Sequence, residues 1–266
     1  MRKRVSAGSV LGIPYLLFQI LFIVVPLLVI VYYAFTDGQG QFSAENFLHF
    51  FTNGKAVGTL VYSFAIAAVS TAVCLLIAYP TALALARGGY RRGRVLLMLF
   101  VMPMWINFAL RLTALKEILT VLEGNLAYYP FLNTIIGMTY DFLPFMILPI
   151  YNTIVKIDTS YVEAAMDLGA KRGAVLFRVL LPLSMPGIIS GVTMVFLPSM
   201  TNYVVLDMLY NSTYIMGSLI GSYFSAYDWN NGSVISLILL VVIFIFSLAS
   251  GELTEEKNQR GGVYYG

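Results

Sequence analysis

A chain of 266 residues that is 59% hydrophobic and 11% charged, with a mean hydropathy of +0.82, has too little polar material to clothe a soluble domain. Its apolar segments run to about 20 residues, the length that crosses a hydrocarbon core as helix, and they lack the ten-residue alternation of a membrane barrel. One cysteine and one histidine exclude an internal disulfide and argue against a structural zinc site. The expected fold is therefore an all-α polytopic membrane protein, a single transmembrane domain over 1–266. Its six helices should lie near 11–34, 58–86, 95–115, 137–155, 184–206 and 233–250.

The first apolar run follows Arg2, Lys3 and Arg4 but is too long for a signal peptide, and no small-x-small cleavage site closes it. It is read as a retained span. The 35–57 segment is a polar outer loop (Asp37, Gly38, Gln39, Gly40) with a short helix near 43–51 that carries the lone His49. The second span is longer than a bilayer requires, which implies tilt or an end projecting into water. Its Ala65, Ala67, Ala68, Ser70 and Ala72 suit close helix packing, including packing with a partner, and Cys74 reads as a packing thiol. Pro103 in the third span and Pro198 in the fifth are candidate kinks. The 116–136 loop reads as a partly helical interfacial cap. The 207–232 loop carries Asp207, Asn211, Asp228, Trp229, Asn230 and Asn231 but no Lys or Arg, and the tail after Ser250 is polar.

Charge sets orientation. Of sixteen Lys and Arg, thirteen fall on one side: Arg2, Lys3, Arg4, Arg87, Arg91, Arg92, Arg94, Lys156, Lys171, Arg172, Arg178, Lys257 and Arg260. By the positive-inside rule both termini and the 156–183 segment are cytoplasmic, so the net charge of +3 is a topological signal and not one for nucleic acid. Contact of the basic residues at 87–94 with anionic lipid headgroups is an alternative, but orientation alone explains them.

The 156–183 island is too charged to cross a bilayer. Ser160 and Glu163 have the spacing of a capping box, in which each side chain satisfies a free backbone N–H. Tyr161, Ala164, Ala165 and Leu168 fall at i, i+3, i+4 and i+7, one face of a short helix that Gly169 can end in the left-handed conformation. A second short helix would carry Val175, Leu176, Val179 and Leu180 and stop at Pro182. Such a helix–turn–helix between two spans is built to be held by a soluble partner. The plainer role for Glu163 is to complete the capping box alone.

Near the outer side, Arg111 is a cation at the end of a span. It either snorkels to headgroups or organises a gate by pairing with carbonyls or an acid such as Asp207. Trp105, Tyr203, Asp207, Asp228 and Trp229 combine carboxylates with aromatic faces, which suits a desolvated amine; the plain alternative is an interfacial aromatic belt with solvated acids. No G-x-x-x-x-G-K-[ST] phosphate loop and no Ser/His/Asp set is present, so no catalytic residue is expected and energy must come from another subunit.

Glu163-Ala164-Ala165, Gly169 and Leu181-Pro182 resemble the EAA motif of ABC-importer permease subunits, E-A-A-x3-G-x9-I-x-L-P, with Val179 in place of the isoleucine. Pro103-Met104-Trp105-Ile106-Asn107-Phe108 with Arg111 looks like a stretch of spermidine/putrescine permeases. So do Leu143-Pro144-Phe145-Met146-Ile147-Leu148-Pro149-Ile150-Tyr151, Met185-Pro186-Gly187-Ile188-Ile189-Ser190-Gly191 and Tyr227-Asp228-Trp229, which resemble the B-type subunit. The resemblance implies a six-span permease of a bacterial inner membrane with the fold of type I ABC importers. It further implies a heterodimer with a second permease, two ATPase subunits that use ATP and Mg, and an extracytoplasmic binding protein. In that frame Glu163, Ala164, Ala165, Asp167, Gly169, Leu181 and Pro182 couple to the ATPase. Trp105, Asn107, Arg111, Tyr203, Asp207, Asp228 and Trp229 line the polyamine path. The rivals are an importer of another solute, such as a phosphonate, an amino-acid derivative or ferric ion, or an ion-driven secondary transporter. The latter predicts matched halves that the chain does not display. A structural or assembly subunit would have no need of a docking island.

Overall fold

The computed structural model describes residues 7–88, 93–209 and 211–249. Arg2, Lys3, Arg4, Arg91, Arg92, Lys257 and Arg260, which carry part of the orientation argument, lie outside the described residues, as does the polar tail. The described residues are helical apart from turns and one isolated antiparallel bridge between Thr36 and Phe42. Among the described residues four helices are long and apolar enough to cross a membrane: Pro14–Ala34, Gly54–Arg87, Pro130–Lys156 and Trp229–Ala249. If each bent pair is one span, there are two further crossings, Gly93–Trp105 with Phe108–Glu123 at 99°, and Arg172–Leu183 with Met185–Ser199 at 66°. The chain forms two compact units, one from Met1–Thr59 with Ser218–Val242, the other from Leu60–Gly217 with Ile243–Gly266.

The larger unit is organised on Pro130–Lys156, whose Met138, Met146, Ile147, Ile150 and Ile154 are fully buried. In lipid the solvent is as apolar as these side chains, so close packing, not water exclusion, must hold the helices together. Gly187 and Gly191, four residues apart on Met185–Ser199, provide it. A Cβ at Gly187 would lie 2.7 Å from the Pro149 carbonyl oxygen, and one at Gly191 would lie 2.7 Å from the Met146 sulfur. Ala67 and Ser70 of the second span are buried within the chain's own core, whereas Ala72 is exposed and free for a partner.

The candidate kink at Pro103 is present, as a full break in the expected 95–115 span. Pro103 lies in a 3-10 turn, Met102–Trp105, and Ile106 is extended at φ −81°, ψ 142°. The Asn107 side chain then accepts from the Ala109 N–H at 2.9 Å and starts a new helix, Phe108–Glu123. That helix occupies much of the expected 116–136 loop and ends at Gly124, where φ is +74°. In the fifth crossing Pro182 does not stop the chain. A wide π turn, Leu176–Leu180, carries the Leu181 N–H to the Leu176 oxygen, and a proline in the first positions of the following turn has no donor to lose. The bend falls instead at Ser184, whose hydroxyl donates to the Leu181 oxygen at 3.0 Å.

In the smaller unit a helix Glu45–Thr52 occupies the segment expected as the 35–57 loop, and Met216–Ser225 lies within the segment expected as the 207–232 loop. The Asn230 amide donates to the backbone oxygens of Tyr33 (3.1 Å) and Thr36 (2.6 Å), tying the end of the first crossing to the start of the last.

Candidate coupling segment and path residues

The candidate coupling segment begins with a helix that is capped at both ends. Its first helix is Thr159–Asp167, and the cap is Asp158, whose carboxylate accepts from the Ser160 N–H at 2.9 Å. This corrects the capping-box reading: Ser160 is already inside the helix, so it cannot cap, and Glu163 has no reciprocal bond to make and stands exposed. The Ser160 N–H holds the Asp158 carboxyl below the usual carboxylate range. The helix ends as a Schellman motif. Gly169 sits at φ +80°, its N–H bonds the Met166 oxygen at 2.9 Å, and the Ala170 N–H bonds the Ala165 oxygen at 3.0 Å. Chain direction is thus reset before Arg172–Val175 begins.

The two faces of this helix differ. Glu163, Ala164 and Asp167 are exposed, with Tyr161 57% and Leu168 90% exposed, so the expected face is turned away from the protein body apart from Ala165, which is half-buried. Val162 is half-buried on the opposite side. Leu181 packs against the core of the larger unit, whereas Pro182 is exposed.

Arg87, read from sequence only as an orientation charge, pins the entry to this segment. Its Nη2 donates to the Ile157 and Ile154 oxygens, closing the open carbonyl end of Pro130–Lys156 from the end of Gly54–Arg87. No local signal could reveal a cap supplied by another helix.

On the other side of the crossings, Arg111 is buried and its partner is Asp141, not Asp207. Nη2 lies 2.6 Å from Oδ1, and each side chain is 8% exposed. Asp207 is exposed on Tyr203–Met208 with Tyr203 beside it, and that helix packs on Phe108–Glu123 and Pro130–Lys156. Asn107 is the cap of the Arg111 helix, and Trp105 is 82% exposed at the break. Asn211 was read only as a loop residue. It is buried, and its amide donates to the Thr134 hydroxyl (2.8 Å) and the Tyr62 hydroxyl (3.0 Å), anchoring the irregular segment after Leu209.

Asp228 and Trp229 belong to the smaller unit. Asp228 caps Trp229–Ala249, accepting from the Asn231 N–H (3.1 Å) and amide (2.8 Å). The Trp229 ring lies 5.5 Å from Phe224 and 6.3 Å from Tyr33.

Residues 77–251 match the family described as the binding-protein-dependent transport system inner membrane component. The chain is 34% identical over 257 residues to the spermidine/putrescine transport system permease protein PotB of Haemophilus influenzae, covering 87% of this chain and 90% of that protein. It is 32% identical over 217 residues to PotB of Escherichia coli, covering 76% and 79%. Among solved structures it is similar to a chain of a bacterial alginate ABC transporter, with TM-score 0.74, 12% identity and 95% of each chain covered. It is also similar to a chain of the inward-facing MetNI methionine ABC transporter, with TM-score 0.57, 19% identity and 75% and 94% covered. At those identities the structures speak for the fold.

Proposed function

The chain belongs to the family of binding-protein-dependent transport system inner-membrane components, and on that premise we propose that it is one permease subunit of an ATP-driven importer of spermidine or putrescine. The observation that carries the substrate class is its 34% identity to a spermidine/putrescine permease along 87% of its length. It pairs with a second permease, forming half of the path. Two ATPase subunits bind ATP and Mg and hydrolyse the nucleotide, and a binding protein delivers the polyamine on the outer side. The 156–183 segment and both termini face the cytoplasm.

The geometry suits that division of labour. ATP-driven closure of the ATPases displaces whatever is docked on Tyr161, Ala164 and Leu168. The Asp158 cap and the Schellman end make the helix move as a body. Arg87 carries the displacement into Gly54–Arg87 and Pro130–Lys156, and the close Gly187/Gly191 crossing carries it into Met185–Ser199. Two bent crossings then alter access on opposite faces. In the larger unit Trp105, Tyr203 and Asp207 offer aromatic faces and a carboxylate to a desolvated ammonium.

Uptake of labelled spermidine by proteoliposomes holding the four-subunit complex and its binding protein tests the proposal. ATP-dependent accumulation supports it. Accumulation no greater than in vesicles lacking ATP, with the complex intact, refutes it.

A further inference from the structure

Two apolar grooves flank the π turn Leu176–Leu180 along Gly54–Arg87. One, of about 450 Å³, is walled by Leu83, Val162, Met166 and Leu180 with Arg87 and Arg172 on its rim. The other, of about 340 Å³, is walled by Leu75, Leu76, Tyr79 and Pro80, and Leu176 lines both. The rise from Leu75 to Arg87 is about 18 Å at 1.5 Å per residue, comparable to one leaflet of a hydrocarbon core about 30 Å thick. The two grooves together follow a stretch of Gly54–Arg87 about as long as a single leaflet, the one nearer Leu75 apolar and the one nearer Arg87 lined by Arg87 and Arg172.

The basic end carries two guanidinium groups. Arg87 commits Nη2 to the Ile154 and Ile157 carbonyls and brings its charge to the groove. Arg172 is exposed on the neighbouring wall, at the start of the second short helix. Two guanidinium groups at headgroup depth, above an apolar slot, match a phosphodiester carrying an acyl chain. Asp158 feels the charge of Arg87 and offsets part of it, so selection of a headgroup with net negative charge over a zwitterionic one rests chiefly on Arg172.

We propose that this groove is a site for one anionic phospholipid of the leaflet on the coupling side, with its phosphate between Arg87 and Arg172 and an acyl chain laid along Gly54–Arg87. This rests on the membrane orientation given under the proposed function. The lipid fills the space between the inner face of the coupling helix, Val162 and Met166, and the span it must move. Without it, part of the ATPase displacement is absorbed by collapse of an empty groove; with it, the displacement reaches the span.

The test uses the whole complex, released from bilayers of phosphatidylcholine with a minor fraction of phosphatidylglycerol and examined by native mass spectrometry. One phosphatidylglycerol per copy of this subunit should survive activation that strips the other lipids. Arg172→Gln should weaken that retention several-fold, and Leu176→Trp, which fills the slot without touching charge, should abolish it. ATP hydrolysed per substrate moved should rise several-fold in pure phosphatidylcholine and fall again when phosphatidylglycerol is restored. Equal retention by wild type and both variants overturns the proposal. So does a photo-crosslinker at Met166 that captures the second permease or an ATPase in place of lipid. Lipid retention is read without any transported solute, so its failure is separable from failure of the polyamine assignment.

Discussion

Arg111 on Phe108–Glu123 and Asp141 on Pro130–Lys156 meet at 2.6 Å in a buried ion pair. The pair is single-stranded: Arg111 Nε and Nη1 are buried without a hydrogen-bond partner. A cation of this kind depends on its one carboxylate. Asp141→Ala should therefore cost about 3–5 kcal/mol or prevent assembly, because it strands a buried charge. The double variant Arg111→Met/Asp141→Leu should recover most of that loss. Melting of the purified complex, followed by size-exclusion chromatography, checks it; a double variant as unstable as the single one would show that the charge is not the cause.

Gly169 at φ +80° ends the coupling helix in a conformation that a β-branched residue enters only with strain. Gly169→Val should leave the permease inserted and paired while substrate-stimulated ATP hydrolysis falls by tenfold or so, the scale of about 1.4 kcal/mol of lost alignment. Glu163→Arg, on the exposed face, should do likewise by reversing a charge at the docking surface. Normal stimulation in both variants would remove the segment from the coupling role.

The Asp158 cap carries a pH dependence. Its folded carboxyl is depressed by the Ser160 N–H, so the stabilisation is present above the unfolded carboxylate value and is lost as pH falls through the lower, folded one. Hydrogen exchange of the Thr159–Asp167 amides should be unchanged by this group from neutral pH to about 5 and loosen only in the acid range below about 4. In Asp158→Ala the same amides should exchange faster at neutral pH and show no acid step. An acid step of the same size in that variant would assign the effect to another group.

How much of this could be read from residue order depends on how local the cause is. The left-handed stop at Gly169, the face of Tyr161, Ala164 and Leu168, and the kink at Pro103 follow from single residues and short spacings, and the structure has them. Asp158 and Ser160 both make good caps two residues apart; Asp158 does the work because it directly precedes the first helical residue. The Pro182 stop failed because a π turn just upstream absorbs the missing N–H, and nothing in the side chains announces that turn. Asp141 as partner of Arg111, and Arg87 as the cap of another helix, depend on residues 30 and 67 or more positions away. Gly187 and Gly191, by contrast, stand at a spacing that does signal close helix approach.

Gly191→Leu drives carbon into Met146, where a Cβ alone would already lie 3.2 Å from the backbone oxygen. The expected result is loss of about 1–3 kcal/mol or more, seen as a lower melting temperature and reduced pairing with the second permease. Gly221→Ala, with no atom within 4 Å of the added carbon, should change neither.

Asp207 is exposed, so neutralising it removes charge without leaving a buried partner. Asp207→Asn should lower spermidine uptake several-fold with assembly unchanged, checked by initial rates in proteoliposomes. An unaltered rate would take Asp207 out of the path.

The central claim is that this subunit transmits recognition of a polyamine to an ATPase through the 156–183 segment. ATP hydrolysis by the reconstituted complex with its binding protein, titrated with spermidine, putrescine and an anionic control solute, tests it most directly. The expected result is stimulation by the polyamines, none by the anion, and loss of the response in Gly169→Val. Stimulation by neither polyamine, or an undiminished response in that variant, would contradict it.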